Sequence, residues 1–299
     1  MLRRSLSMLV VVLLLLLLAL SCVNVFAHNP ASDAPNSDRA ATPKPFPFEP
    51  DEQLTYEGEF SKLLLRGINI VEFKFTVERV KTTATATPAG EQPVALPHLV
   101  FKADAVAKGW FRKLFGIDFR YTAEAIVEPA SFQNLRTTTR DEQGKRLRTS
   151  ETVYDRARNQ LTWTQRNPND PQSQPRVVTA PLGDATHDLI TAIYYLRTQP
   201  LEPGRNFELM VSDAGAVYHI PVKVGSRKRM KSVVGRVQAV RVDLEIFGSG
   251  RLVDRKGELS LWFTDDARRL PIRARVSTDL GTIDITLKKV SGGSPVTRR

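Results

Sequence analysis

The feature that most restricts the fold is an alternation of apolar and polar side chains with period two, sustained in short bursts between Leu54 and Val290. In Val71-Glu72-Phe73-Lys74-Phe75-Thr76-Val77-Glu78 the apolar side chains fall on one face of an extended chain and the polar ones on the other. The runs Ile117-Asp118-Phe119-Arg120-Tyr121-Thr122-Ala123-Glu124-Ala125 and Ile283-Asp284-Ile285-Thr286-Leu287-Lys288 repeat the pattern. Segments 99–107, 147–154, 160–165, 207–211, 217–224, 237–247, 258–264 and 272–277 share its character. About a dozen strands, each with one wet and one dry face, predict antiparallel sheets. Such sheets must close, curl or stack to hide their dry faces. The predicted class is therefore mainly β, a barrel-like or curled two-layer assembly in one domain spanning 54–290.

Turn chemistry falls between these segments, at Asp141-Glu142-Gln143-Gly144, Glu202-Pro203-Gly204, Ser212-Asp213-Ala214-Gly215 and Thr264-Asp265-Asp266. Residues 82–97, rich in Thr, Ala and Pro, read as a long hairpin loop. No fixed-period repeat is present, which argues against a propeller or solenoid.

One segment breaks the alternation. Leu189, Ile190, Ile193 and Leu196 recur at helical spacing, with Asp184 or Thr186 placed to cap the first turn and Pro200 to stop the continuation. This predicts one helix of about three turns, plugging or covering one mouth of the sheet assembly and linking its halves.

The N-terminus carries an address. Arg3 and Arg4 precede an uninterrupted apolar run from Leu9 to Leu20, and Ser21-Cys22-Val23-Asn24-Val25-Phe26-Ala27 follows. A charged start, an apolar middle and small residues at Val25 and Ala27 predict a signal peptide over 1–27, cleaved after Ala27. The run is about a dozen residues, short of the roughly 20 that span a bilayer. Ala19-Leu20-Ser21-Cys22 offers a competing reading as a bacterial lipoprotein box with Cys22 lipidated. Cys22 is the only cysteine, so no intrachain disulfide exists. Residues 28–53, rich in Pro, Ala, Ser and Asp, read as a disordered tether, and 291–299 as a flexible tail. The expected location is periplasm or cell envelope.

The formal net charge is +11. An exported basic domain points to anionic lipid, lipopolysaccharide or acidic glycan as partners, with peripheral membrane association, and away from nucleic acid.

These residues also carry a resemblance. The run from Asp188 to Arg197, then Leu201-Glu202-Pro203-Gly204, and later the stretch from Gly257 through Trp262, Asp265, Asp266, Arg269 and Pro271 to Ile272, resemble the domain of unknown function 3108 family of exported bacterial proteins. Leu54-Thr55-Tyr56 and Gly281-Thr282-Ile283 fit as well. The resemblance implies export and a mostly β domain, with Asp188, Arg197, Pro203, Gly204, Trp262, Asp266, Arg269 and Pro271 as fixed points of the scaffold. It supplies no reaction and no catalytic residues.

Candidate sites are few. Lys108-Gly109-Trp110-Phe111-Arg112-Lys113-Leu114-Phe115-Gly116 mixes aromatic rings with cations between two strands. Trp110, Phe111 and Phe115 could insert at a bilayer interface while Arg112 and Lys113 meet phosphates. Alternatively the segment is a hairpin folding its rings over the open end of the barrel. The basic turn Arg227-Lys228-Arg229-Met230-Lys231 is a secondary candidate for anion contact. Asp265 and Asp266 are adjacent and cannot easily converge as an acid–base pair; an Asx-type turn, with Arg269 answering one carboxylate, explains them. His187 reads as a polar first-turn residue of the helix, His219 as a strand residue and His98 as a loop residue. No metal cluster, cofactor motif or nucleophile elbow stands in the sequence.

The leading expectation is a non-enzymatic binding or carrier module of the cell envelope for an apolar or amphiphilic ligand. The rival is a structural or assembly protein with a filled core. An apolar cavity of several hundred cubic ångströms would mark the former.

Overall fold

A computed structural model describes residues 46–63, 65–83, 95–108, 118–183 and 185–292. Among the described residues fifteen strands form one continuous sheet: β1 (Gln53–Lys62), β2 (Leu65–Thr83), β3 (Ala95–Ala107), β4 (Phe119–Glu128), β5 (Gln133–Gln143), β6 (Arg146–Asp155), β7 (Gln160–Arg166), β8 (Arg176–Pro181), β9 (Thr186–His187), β10 (Asn206–Asp213), β11 (Ala216–Ser232), β12 (Gly235–Leu244), β13 (Gly257–Thr264), β14 (Pro271–Thr278) and β15 (Gly281–Ser291). A single helix among the described residues, α1 (Leu189–Thr198), separates β9 from β10.

The spatial order is β8-β7-β6-β5-β4-β3-β2-β1-β15-β14-β13-β12-β11-β10-β9. Neighbours in sequence are neighbours in space, as short hairpins dictate, with two exceptions: β1 pairs with β15 and so joins the first and last strands at the middle of the sheet, and the consecutive strands β8 and β9 lie at its opposite ends. Every pairing is antiparallel apart from β9 with β10, which the helical connection makes parallel.

Alternation sets the faces. Along β4, Phe119, Tyr121, Ala123, Ala125 and Val127 are buried while Arg120, Glu124 and Glu128 are exposed. The wet face bears cross-strand ion pairs such as Lys102–Glu78 at 2.8 Å and Arg120–Asp104 at 2.8 Å. Exposed pairs of this kind contribute little stability, about 0–1 kcal/mol each; they show which face meets water.

The sheet curls without closing. Its outer strands, β8 at one end and β9 at the other, are not hydrogen-bonded to each other, but β8 touches β11 and β5 touches β9. A small satellite core of Tyr154, Leu161, Trp163 and Leu182 seals this seam, with Val178 and Val217 packed against it. The Tyr154 hydroxyl lies 2.8 Å from Ser212 Oγ across the gap. Gly215 has φ +86° and sits where an added Cβ would come within 2.6 Å of the Val178 side chain, so this turn requires glycine twice over. Side-chain packing thus performs the closure that backbone pairing performs in a true barrel.

Several expectations need correction. Among the described residues the expected dozen or so strands are fifteen: β1, the polar β5 and the outer β8 and β9 are not among the alternating segments named above. Residues 46–53 are built into the fold rather than tethering it, since Phe48 and Glu52 are buried and Gln53 opens β1. His98 lies in β3, not in a loop, and the strands of the β2–β3 hairpin run further into 82–97 than the composition suggested. The signal peptide, Cys22, residues 28–45 and the tail beyond 292 lie outside the described residues.

Candidate functional site

The helix organises the interior. Ile190, Thr191, Ala192, Tyr194, Leu196 and Arg197 are all buried, so α1 is covered nearly all round by the curled sheet. Ten residues give about three turns.

Its N-terminus is held by Asp188, not by Thr186; Asp184 lies outside the described residues. The Asp188 carboxylate accepts hydrogen bonds from the backbone of Ile190 (2.7 Å) and Thr191 (3.0 Å), and the Thr191 hydroxyl accepts from the Asp188 N–H (3.1 Å), completing a capping box. The second carboxylate oxygen accepts from Thr137 Oγ1 (2.8 Å) and from Asn134 Nδ2. Thr191 Oγ1 donates to Asn134 Oδ1 at 2.9 Å. This explains why β5 turns polar groups inward: Asn134 and Thr137 meet the buried cap. Burial still pushes the Asp188 carboxyl above its usual range, against the pull of these four bonds.

His187 precedes the cap, in β9, instead of sitting in the first turn. It is 2% exposed, its ring lies 4.2 Å from that of Tyr195, and its Nδ1 is 3.4 Å from Asn134 Oδ1. Burial, aided by the Arg156 cation, lowers its pKa to about 4. The imidazole is therefore neutral near pH 7.

At the other end Arg197 is wholly buried. It donates to both Glu52 oxygens, to Pro47 O (2.8 Å) and to Arg268 O. Its guanidinium also lies over the rings of Phe48 (5.2 Å) and Tyr194 (5.3 Å). One side chain therefore ties the segment before β1, the helix and the β13–β14 turn together. That turn is built on Asp266, which accepts from Thr264 Oγ1 (2.7 Å) and from the backbone of Arg268 and Arg269 (3.0 Å each). The Arg269 backbone thus answers Asp266, but its guanidinium does not: it donates to the Arg197 carbonyl at 2.9 Å, at the end of the helix. Asp265 pairs with Arg227 at 2.6 Å. Asp188 and Arg197 thus fasten the two ends of α1, Arg269 meets its C-terminal end, and Asp266 shapes the turn that carries Arg269. Trp262 stands on the outer face between Arg241 and Arg273, and Pro203-Gly204 forms an exposed turn leading into β10.

The helix divides the interior into two unlike halves. On one side Phe46, Phe48, Phe101 and Phe132 pack ring against ring, and Phe101 meets Tyr194 at 4.6 Å. On the other side, facing β1, β2 and β10–β15, a half-enclosed cavity of about 160 Å³ remains. Leu54, Phe75, Leu209, Ile220, Leu261 and Ala274 represent its wall, and Ile190, Ile193 and Tyr194 its helical side. This is smaller than the several hundred cubic ångströms expected of a carrier, and close to the roughly 150 Å³ of an apolar protein cavity that stays dry and takes up benzene.

Polar groups at this wall are few and mostly occupied. Tyr56 donates to Pro271 O at 2.7 Å. Arg273 is bound to Asp284 through two nitrogens. Tyr194 is 1% exposed, and its hydroxyl meets no hydrogen-bond partner among the described residues.

The segment with Trp110, Phe111, Arg112, Lys113 and Phe115 lies outside the described residues. Arg227, Lys228 and Arg229 do not form a turn: they are exposed residues in mid-β11, paired in register with Val240, Ala239 and Gln238. His219 is exposed and binds Glu208 at 2.6 Å. Among the described residues no group of three or more His, Cys, Asp or Glu is placed to hold a metal. No described helix is long and apolar enough to cross a membrane.

Sequence reasoning missed Glu52, Phe48, Asn134, Thr137 and the orphan hydroxyl of Tyr194. Only Tyr194 had a signal, since it lies four residues after Ile190 on the apolar stripe. The others matter through partners 50 to 150 residues away, for which local sequence has no marker.

A family model described as "Protein of unknown function (DUF3108)" matches residues 66–288. Comparison with curated proteins finds no match. Among solved structures, a β-barrel-like protein of domain of unknown function DUF1849 from Brucella abortus aligns at 10% identity and TM-score 0.49, covering 82% of this chain and 98% of that one. A protein described as a putative lipoprotein, from Parabacteroides distasonis, aligns at 8% identity and TM-score 0.31, covering 82% and 97%.

Proposed function

The chain belongs to the DUF3108 family, whose description names no activity, and from the interior itself we propose that it is an exported, non-catalytic binding module that takes up one slim apolar or amphiphilic ligand of the cell envelope. The observation that carries this reading is the half-enclosed apolar cavity beside α1. A folded core close-packs to the density of an organic crystal, and an unfilled apolar volume costs about 24 cal/mol per Å³. Over 160 Å³ that is roughly 4 kcal/mol. A ligand that fills the space recovers that free energy on binding, which gives an apolar occupant a driving force without any charged contact.

The size selects the occupant. Sites for drug-sized ligands run to about 300–1,000 Å³, so a sterol or a multi-chain lipid does not fit entire. A single hydrocarbon chain, or the end of one entering from the open side, does. Export is supported by Arg3, Arg4 and the apolar run to Leu20. The net basic chain favours anionic envelope surfaces as the place where the ligand is met.

The test is lipid extraction and mass spectrometry of protein purified without detergent, with titration of N-phenyl-1-naphthylamine, which fluoresces in apolar sites. A copurifying single-chain amphiphile and saturable probe binding are expected. Protein that carries no amphiphile and binds no probe refutes the reading and leaves the assembly role.

A further inference from the structure

We propose that the basic arm formed by the far halves of β11 and β12, residues 225–238, is a docking surface for an anionic lipid bilayer. Arg229, Lys231 and Arg236 meet headgroup phosphates there, and Val233 enters the interface. The inference concerns the outside of the sheet and stands whether or not the cavity holds a ligand.

The chain carries no acidic residue from Ala214 to Val242, yet it gathers Arg227, Lys228, Arg229, Lys231 and Arg236 in that stretch. The hairpin also outruns its neighbours. β10 follows β11 as far as Lys223, and β13 follows β12 from Ala239 onward, so beyond these points the two strands of the hairpin pair with each other and with no further strand. Alternation then sorts the arm. Met230 and Val237, opposite each other in register, are half-buried and pack with Val234 against the main core. Arg229, Lys231, Arg236 and Gln238 stand on the other face and are exposed. The dry side seats the arm on the body, and the wet side holds its cations in one plane.

A second observation concerns counter-charge. Lys231 and Arg236 are directly opposite in register, and like charges so placed on a sheet repel. Two other like-charged pairs face each other across strands, Glu57 with Glu72 and Glu59 with Asp284, and the fold answers each of them. Lys108 bridges Glu57 and Glu72, Lys288 meets Glu57 and Glu59, and Arg273 and Arg275 grip Asp284. Lys231 and Arg236 have no such answer: among the described residues neither side chain makes an ion pair or a hydrogen bond, and the same holds for Lys228 and Arg229. Asp265, which reaches the arm, is taken by Arg227 at 2.6 Å. An external anion is the partner that relieves this repulsion.

The layout selects a surface over a small ion. The cations are spread along a sheet face rather than converging on a point, which suits the many fixed phosphates of a headgroup layer. The arm ends in Val233, 51% exposed, at a turn whose Val234 is packed inward. An apolar side chain beyond a row of cations fits the boundary between headgroups and acyl chains. An acidic polysaccharide or free phosphate offers it nothing.

The experiment is co-sedimentation of the protein, as the cell processes it, with vesicles of phosphatidylcholine containing about 30% phosphatidylglycerol and with phosphatidylcholine alone, at about 0.1 and 0.5 M NaCl. The triple variant Arg229→Gln, Lys231→Gln, Arg236→Gln is compared with a control of equal charge, Lys74→Gln, Arg79→Gln, Lys145→Gln, taken from exposed cations elsewhere. The parent is expected to bind the anionic vesicles and to release them at the higher salt. A cation near an anionic surface is worth about fivefold in affinity, so the triple variant should bind about 100-fold more weakly and the control within about threefold of the parent. Val233→Asn should weaken binding by about 3–10-fold. Having lost the repulsion between Lys231 and Arg236, the triple variant should unfold at the same or a higher urea concentration than the parent. Equal losses in the two triple variants, vesicle binding that ignores the arm or Val233, a less stable arm variant, or a tighter arm-dependent affinity for alginate or inorganic phosphate than for vesicles would each overturn the assignment. Probe binding in the cavity should be the same in parent and triple variant, so failure of this surface and failure of the carrier reading register separately.

Discussion

The ion pair of Arg197 with Glu52 gives the sharpest test of how this fold is held. Both side chains are essentially removed from water, at 0% and 1% exposure. Glu52→Ala would leave the guanidinium with only the carbonyls of Pro47 and Arg268 as partners, and would also strip Arg268 of its carboxylate contact at 3.2 Å. Removing one partner of a buried pair costs about 3–5 kcal/mol, because the surviving charge is stranded. Against a total stability of about 5–15 kcal/mol this is a large share. At roughly 2–4 °C per kcal/mol for a domain of this size, Tm should fall by roughly 6–20 °C. Arg197→Met should do similar damage from the other side. The double variant Glu52→Leu with Arg197→Met removes both charges, leaving two carbonyls short of a donor at about 1–3 kcal/mol each. Its loss should therefore be smaller than the sum of the single losses by at least about 2 kcal/mol. The assay is urea unfolding followed by tryptophan fluorescence on the parent and three variants, with m-values compared to exclude a change in cooperativity. Single variants within about 1 kcal/mol of the parent, or strictly additive losses, would refute the idea that this pair fastens the segment before β1 to the helix and the β13–β14 turn.

Other outcomes follow from the same structure. Asp213 has a buried, unpartnered Oδ2, and burial raises its pKa to about 7, above the unfolded value of about 3.9. Its contribution is full below pH 4 and is lost as pH rises through 7. Asp213→Asn should therefore gain Tm relative to the parent at about pH 8.5 but not at about pH 4, and an equal shift at both would refute the assignment. His187 works the opposite way, its stabilisation being fully present above its unfolded value of about 6.5 and lost as pH falls through 4, so between these limits it offsets the pH dependence that Asp213 imposes. Trp163→Ala should cost about 3–5 kcal/mol and speed amide exchange in β7 and β8 more than in β1 or β15, because it opens the seam; uniform acceleration would say that the seam does not behave as a separate unit. Ala274→Leu should push side-chain volume into the cavity, raise stability by about 1–2 kcal/mol and abolish probe binding; a loss of stability would mean that the space cannot accept a chain.

The strands were legible because a half-buried strand writes its two environments into neighbouring residues. Phe119, Tyr121 and Ala123 alternate with Arg120 and Thr122 for a reason that acts within one strand, and the helix announced itself through Leu189, Ile190, Ile193 and Leu196 in the same way. β5 did not, because its inward face carries Asn134 and Thr137 to serve a helix cap 50 residues later, and that pairing leaves no period in the chain. The acidic, proline-rich stretch before β1 was read as tether by its composition, yet Phe48 and Glu52 are buried because Arg197 and Tyr194 wait for them at a remote position. The cavity belongs wholly to this second kind of fact. Sequence alone determined that dry faces exist and must be hidden; only the three-dimensional packing decided that one side of the helix is filled by aromatic rings and the other is not. Burial preference is a property of each residue, whereas complementarity of volume and charge is a property of pairs that the chain brings together only when folded.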